Sequence, residues 1–431
     1  MEYESYYMSL WDRLSSIKGD DQIDCMQLEQ DICRFGSVIE NVSDISSISK
    51  DQWAGSLAVA GSLTVSGFAW STPQTVAVAN KWITAILLFT KQGNEQKEAK
   101  HAHEITGETF RAISSRFVHP YFKPENRESS STYLLMNSRE KKTHIFGKRM
   151  WKANFQSVAC FTWALEHLRP EDTVDVISYI LPVVLALIDD YDTKVKTRGL
   201  HLASILMTKK ADQEFLRKSG IAGILEKSTE PSLVFRSDEG QLGVDLLNAG
   251  FDAAILTARI QYTQTSDLRY TAQWWKLAER IVANTMYVSD KVSAMTVLCS
   301  KINSVCQALG PAVSRYLRPL VGLLVQAMRS TVFMDAKMCK LHMAVVEQFF
   351  AVTKACIPRI HVYIEDIIAA LAYSWCCSQS RDCTAGDDAC KLRSRIIELV
   401  SEFKDICPEQ TKQTVLCLIE SRSGTFAEWN K

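Results

Sequence analysis

The sequence predicts an all-α fold, an α-solenoid of antiparallel helix pairs, and three observations carry that prediction. Apolar residues recur at the helical period through the strongest segments, no segment sustains an apolar/polar alternation with hairpin turns, and related segments return at a near-constant spacing. The tyrosines Tyr179, Tyr316 and Tyr363, each in an aliphatic stretch (177–187, 313–324 and 359–371), are 137 and 47 residues apart. Three periods of about 46 residues make up the first interval, against the roughly 40–47 residues of HEAT and armadillo units.

The clearest pair lies in the middle of the chain. Ile177, Ile180, Leu181, Val184, Leu185 and Ile188 line one helical face, and the run Asp189, Asp190, Tyr191, Asp192 ends it. Asp192 stands where an N-cap belongs, so a second helix follows at once. Val195, Gly199, Leu202, Ile205 and Leu206 face inward there, while Lys194, Lys196 and Arg198 point outward. Two helices joined by so short a turn lie antiparallel and cannot bury both apolar faces alone, so they require neighbours on either side. Further helices are expected over 273–286, 290–309, 336–356, 359–377 and 391–407.

Upstream, no charged side chain occurs from Gln52 to Asn80, a length that would span a bilayer. The stretch is rich in Gly, Ser, Thr and Ala and contains Pro73, a composition of weak insertion energy. A buried helix is expected instead, its small residues Gly55, Ala58 and Ser62 letting a neighbour approach closely. Residues 120–149 mix Pro, Ser and charge with little periodicity, which marks a long connection or flexible insert. The expected organisation is an N-terminal helical region at 1–119, the insert at 120–149, and a repeat body at 150–431, with a second polar loop at 378–390.

Composition narrows the function. The 49 basic side chains balance 49 acidic ones, whereas a dedicated nucleic-acid binder carries a basic face. Neither direct nucleic-acid binding nor a membrane is expected. An odd count of 13 cysteines and the lack of a charged-then-apolar leader at Met1–Leu10 indicate reduced thiols in cytosol or nucleus. The sequence has no G-x-S-x-G, no Gly-rich loop before GK[ST], and no H-E-x-x-H among its 8 histidines. Cys376, Cys377, Cys383 and Cys390 form the densest chemical cluster, but an adjacent pair followed by longer gaps differs from the paired C-x(2–4)-C knuckles of structural zinc sites. The acidic run at 189–192 reads as a turn and cap, not as a divalent-ion site. No enzymatic activity, cofactor or metal is expected. What remains is a binding surface: residues 311–376 concentrate Phe349, Phe350, Tyr363, Tyr373, Trp375 and Arg359, the residue types of interface hot spots. Aromatics at helical spacing also serve as core, so Arg359, Tyr363 and Tyr373 are the candidate partner-binding residues, with Arg359 the sharpest probe.

Several blocks resemble the Tti-two family. Residues 161–206 match a Trp-containing helix, a Leu-Pro helix, an acidic turn and a K-x-x-G-x-x-L helix through Trp163, Pro182, Asp189, Asp190, Asp192, Lys196 and Gly199. Residues 215–225 add Arg217, Gly220 and Leu225, and 356–376 add Cys356, Pro358, Arg359, Ile360, Trp375 and Cys376. The segment 227–240 departs from the family's Pro-rich pattern, holding only Pro231. The resemblance implies a non-catalytic scaffold subunit of the TTT co-chaperone complex, cytoplasmic and nuclear, with Tti-one and Tel-two type helical-repeat proteins as partners. It further implies action with the ninety-kilodalton heat-shock chaperone on the phosphatidylinositol-kinase-like protein kinases, among them TOR and the DNA-damage kinases. The alternative reading is another HEAT-type adaptor, a scaffold in a transport or phosphatase assembly.

Overall fold

The computed structural model describes residues 2–16, 30–31, 49–91, 104–122, 150–263, 267–288, 290–329, 334–380, 383–421 and 425–430. Most of the insert expected at 120–149, from 123 onward, lies outside the described residues. Among the described residues no strand forms, and Ile105 and Leu168 make one isolated parallel bridge. Internal contacts divide the chain into two units, residues 1–189 with 202–215 and residues 190–201 with 216–431. The first unit thus takes residues from both sides of 120–149.

In the first unit, helix α2 (Lys50–Thr64) packs against α1 (Glu2–Ser16), α3 (Pro73–Lys91), α4 (Gly107–Ile113) and α5 (Phe155–His167). It begins at a capping box, in which Ser49 Oγ accepts from the Gln52 amide while Gln52 Oε1 accepts from the Ser49 amide. The uncharged stretch Gln52–Asn80 is therefore two helices, broken at 65–72, where the Trp70 indole N–H donates to the Ser62 carbonyl at 3.0 Å. The small residues serve close approach, as expected. A Cβ on Gly55 would lie 2.6 Å from the Tyr7 ring of α1, and one on Gly61 would overlap the Trp163 indole of α5. Helix α6 (Thr173–Ile188) packs on α4, and the Asp172 carboxylate that precedes it accepts the Gly107 amide at 2.8 Å.

The second unit holds the repeats. After α7 (Thr193–Ile205, through which the division between the units passes), α8 (Gln213–Lys218) and α9 (Ile221–Thr229) come eight helices in two alternating layers. One layer stacks α10 (Gln241–Gln261), α12 (Val292–Leu309), α14 (Ala336–Ala355) and α16 (Asp387–Ile406) in order; the other stacks α11 (Leu268–Val288), α13 (Leu317–Arg329), α15 (Ile364–Gln379) and α17 (Pro408–Ser421). Each helix also packs on its sequence neighbour, α11 on α12, α13 on α14 and α15 on α16, as an array whose units cannot bury their apolar faces alone requires.

Polar ties recur at one-repeat spacing. Lys301 pairs with Asp252 at 2.6 Å (α12 to α10), the Asn303 amide donates to Gln348 Oε1 at 2.7 Å (α12 to α14), and Arg395 grips Glu347 at 2.7 and 2.9 Å (α16 to α14); the partners are 49, 45 and 48 residues apart. The tyrosine spacing read from the sequence belongs to the other layer. Tyr316 and Tyr363 each end a 3-10 turn, half-buried, directly before α13 and α15. Tyr179 is not their equivalent, because it sits inside α6 with its ring against His119.

Helix α14 carries a buried titratable group. His342 is fully buried and its Nδ1 lies 2.7 Å from Ser374 Oγ on α15. Burial penalises the imidazolium and pushes the pKa down to about 4 from an ordinary 6.5. The ring is thus neutral in the folded protein, while the unfolded chain takes up its proton as pH falls through 6.5. Stability is fully present above that value and declines as pH drops toward about 4, by roughly 3–4 kcal/mol in total at ~1.4 kcal/mol per unit. Urea unfolding between pH 7 and pH 5 should show a shallower loss for His342→Gln than for the parent chain.

The glycine contacts give a second expectation. Gly61→Ala overpacks the α2–α5 contact and should cost about 1–3 kcal/mol. Gly322→Ala, in α13 with open space around the new methyl, should be neutral or stabilise by up to about 1 kcal/mol. Urea denaturation of the two variants side by side checks both.

Candidate partner-binding site

The acidic turn is structural. Asp192 Oδ1 accepts the amides of Lys194 at 2.9 Å and Val195 at 3.2 Å, which caps α7 as the sequence indicated. Asp190 is buried and accepts the Asp192 amide at 2.8 Å, and Asp189 closes the C-terminus of α6. One expectation fails here: Lys196 is only 8% exposed and belongs to the inner face with Val195, Gly199 and Leu200. The covered stripe of α7 is wider than the apolar stripe in its sequence, and a lysine stem is apolar enough to join it. Trp163 is core, stacked on His167 at 4.8 Å, and Pro182 lies exposed within α6.

The region 311–376 separates into core and surface. Trp375 and Phe349 are buried, Phe350 and Tyr363 half-buried, and Tyr373 exposed on α15. Arg359 occupies the single helical turn Ile357–Ile360 between α14 and α15, where its amide donates to the Cys356 carbonyl at 2.8 Å and its side chain is exposed. Ile357, Pro358, His361 and Val362 are exposed beside it, Val362 at 65%. The structure thus places Arg359 on an apolar and basic corner, with Tyr363 turned toward the core and Tyr373 one helix further on.

Sequence reasoning missed a groove of about 520 Å³ across α12, α14 and α16, bordered by Asn303, Gln307, Glu347, Phe350, Lys354 and Glu402. Arg395 also lines it, and its guanidinium lies 4.5 Å from the Phe350 ring centroid, holds Glu347 with two hydrogen bonds and meets Glu398. The hydrogen bonds that Arg395 donates to Glu347 push its pKa further above the ordinary range, which keeps the cation permanent. No local motif announces this set, because three helices about one repeat apart contribute to it. Asn284 escaped notice for the same reason. From α11 it accepts the Phe235 amide at 2.8 Å and donates to the Leu233 carbonyl at 2.7 Å. The 230–235 segment, left open by the sequence, is thereby held, and Lys276 and Arg280 both grip Glu230.

The buried thiols are poor nucleophiles. Burial pushes Cys299 and Cys306 up to about 12 and Cys339 up to about 11, so thiolate is scarce at neutral pH. Cys376, Cys377 and Cys383 are half-buried and Cys390 is exposed. Among the described residues no three His, Cys, Asp or Glu side chains are grouped to hold a metal ion.

Fold and surfaces together define a helical-repeat protein, built of stacked pairs with extended faces. The chain belongs to the Tti2 family, whose sequence profile matches residues 57–335, well over half of its 431 residues; this is the Tti-two family of the resemblance above. Family membership supports a component of the TTT complex. Comparison with curated protein sequences gives no match. Among solved structures the chain is similar to Kap121p bound to Pho4p, at 12% identity and a TM-score of 0.50 over 90% of this chain and 39% of that one. Kap121p bound to RanGTP aligns at 13% identity and a TM-score of 0.48, over 90% and 38%. The chain therefore spans well under half the length of these neighbours, and at such identity the first likeness speaks for the helical-repeat fold alone.

Replacing Asp192 with Ala should remove the α7 cap and cost about 1 kcal/mol. Thermal melting reads this out directly, and a chelator added to either protein should leave the melting temperature unchanged.

Proposed function

We propose that this protein is a non-catalytic scaffold subunit of the TTT co-chaperone complex. It binds Tti-one and Tel-two type helical-repeat proteins. Through them, and with the ninety-kilodalton heat-shock chaperone, it supports the maturation and stability of phosphatidylinositol-kinase-like protein kinases, TOR and the DNA-damage kinases included, in cytoplasm and nucleus. The observation that carries this reading is the Tti2 profile match over residues 57–335. The fold is consistent with it: stacked pairs leave long faces available, and the exposed Arg359 corner combines a cation with Ile357 and Val362, the mixture of apolar area and Arg that interfaces favour.

Affinity purification of the tagged chain followed by mass spectrometry tests the reading. Recovery of Tti-one and Tel-two is expected; recovery of a transport GTPase or a phosphatase subunit in their place would make the chain a different HEAT-type adaptor. Because the Arg359 side chain is exposed, Arg359→Glu should leave stability within about 0.5 kcal/mol of wild type while reducing recovery of both partners. Undiminished recovery would place the interface on another face.

A further inference from the structure

Beside α16 and α17 lies a short segment that belongs to neither layer. Beyond α17 and residues 422–424, Thr425 and Phe426 lead into a single 3-10 turn, Ala427–Asn430, that packs against α16 and α17. A turn of this length has no stability of its own, so its order comes from the cleft in which it sits. Two aromatic side chains fill that cleft. Phe426 and Trp429 are 2% and 1% exposed, their rings meet edge to face with centroids 5.1 Å apart, and Trp429 meets the buried Trp375 of α15 in the same way at 5.6 Å. One polar contact fixes the register: the Trp375 indole donates to the Thr425 carbonyl at 2.9 Å. The two residues are 50 apart, the spacing of the other inter-repeat ties, so the segment lies where a next repeat would begin to cover the array.

We propose that the cleft beside Trp375, between α15, α16 and α17, is a binding site for short segments carrying two aromatic side chains three residues apart, and that Phe426 and Trp429 occupy it in cis. The ligand class is a partner's aromatic-x-x-aromatic peptide, held by edge-to-face ring contacts and by one backbone carbonyl accepting from Trp375. The cis occupant fits the cleft in shape but not fully in polarity. Among the described residues the buried indole N–H of Trp429 has no hydrogen-bond partner, and a buried donor left unpaired opposes its own binding. A ligand that presents an aromatic surface without that donor improves on the segment already there, which makes exchange favourable. The site lies outside the span of the family match, so it stands or falls independently of the TTT assignment.

The test uses a fluorescent peptide of residues 424–431, read by anisotropy against the full chain. A Phe426→Ala, Trp429→Ala double variant with an unchanged helical spectrum should bind it saturably. The parent chain should bind at least about tenfold more weakly, because a three-residue tether holds the cis segment at an effective concentration on the order of millimolar. Adding Trp375→Phe to the double variant removes the donor to the Thr425 carbonyl and should weaken the peptide severalfold. A peptide in which benzothienylalanine, the same shape without the N–H, replaces Trp429 should bind several times more tightly. Equal affinity for parent and double variant, or no saturable binding to a folded double variant, overturns the proposal. Should the double variant not fold, hydrogen exchange on the parent chain decides. Excess peptide must then speed exchange at the amides of 425–430, and unchanged protection at millimolar peptide refutes the site.

Discussion

Helix α14 is covered from several directions at once, by α12 and α16 in its own layer and by α13 in the other, and the second unit depends on that burial. Its apolar residues Leu341, Val345, Val346, Phe349 and Val352 are all within 2% of full burial, which supplies the driving force but no register, since apolar contact is non-directional. Register comes from the polar side chains buried among them. His342 meets Ser374 on α15, and Gln348 accepts an amide of α12. A buried polar group that loses its partner costs more than a typical hydrogen bond contributes, so a slip of either neighbour along α14 is penalised at named atoms.

The same logic extends outward. Asp252 with Lys301, Asn303 with Gln348 and Glu347 with Arg395 link successive helices of one layer, and Asn284 with Leu233 and Phe235 anchors the segment that leads into α10. Exposed ion pairs contribute little individually. Ties repeated once per repeat act on stacking geometry, fixing how each pair sits on the last. The first unit packs through close backbone approach: glycines on α2 let α1 and α5 come near its backbone.

These constraints also explain where binding can occur. Array interiors use their aromatics, so Phe349 is unavailable as a contact residue, and Trp375 is reached only through the cleft that Phe426 and Trp429 fill. Surface character instead collects where repeats join, as at Ile357–Val362, and where helices of one layer leave a furrow, as around Arg395. A protein built this way offers many modest surfaces along its stacked helix pairs.

The sequence by itself determined what local physics controls. Helical periodicity, the Asp192 cap, small residues where helices approach closely and the 47-residue interval between Tyr316 and Tyr363 are all encoded within or just beyond one helix pair. The family resemblance, too, lay in the order of such local blocks. Only the tertiary structure decided which side of each amphipathic helix is covered twice, and so it placed Lys196 inside, Tyr179 outside the repeat register, and Tyr363 toward the core. It also assembled the Arg395 groove, the Asn284 anchor and the Trp375 cleft. The reason is distance along the chain. Each of these sets joins residues nearly one repeat apart, and no local propensity reports a contact that exists only once neighbouring pairs have stacked.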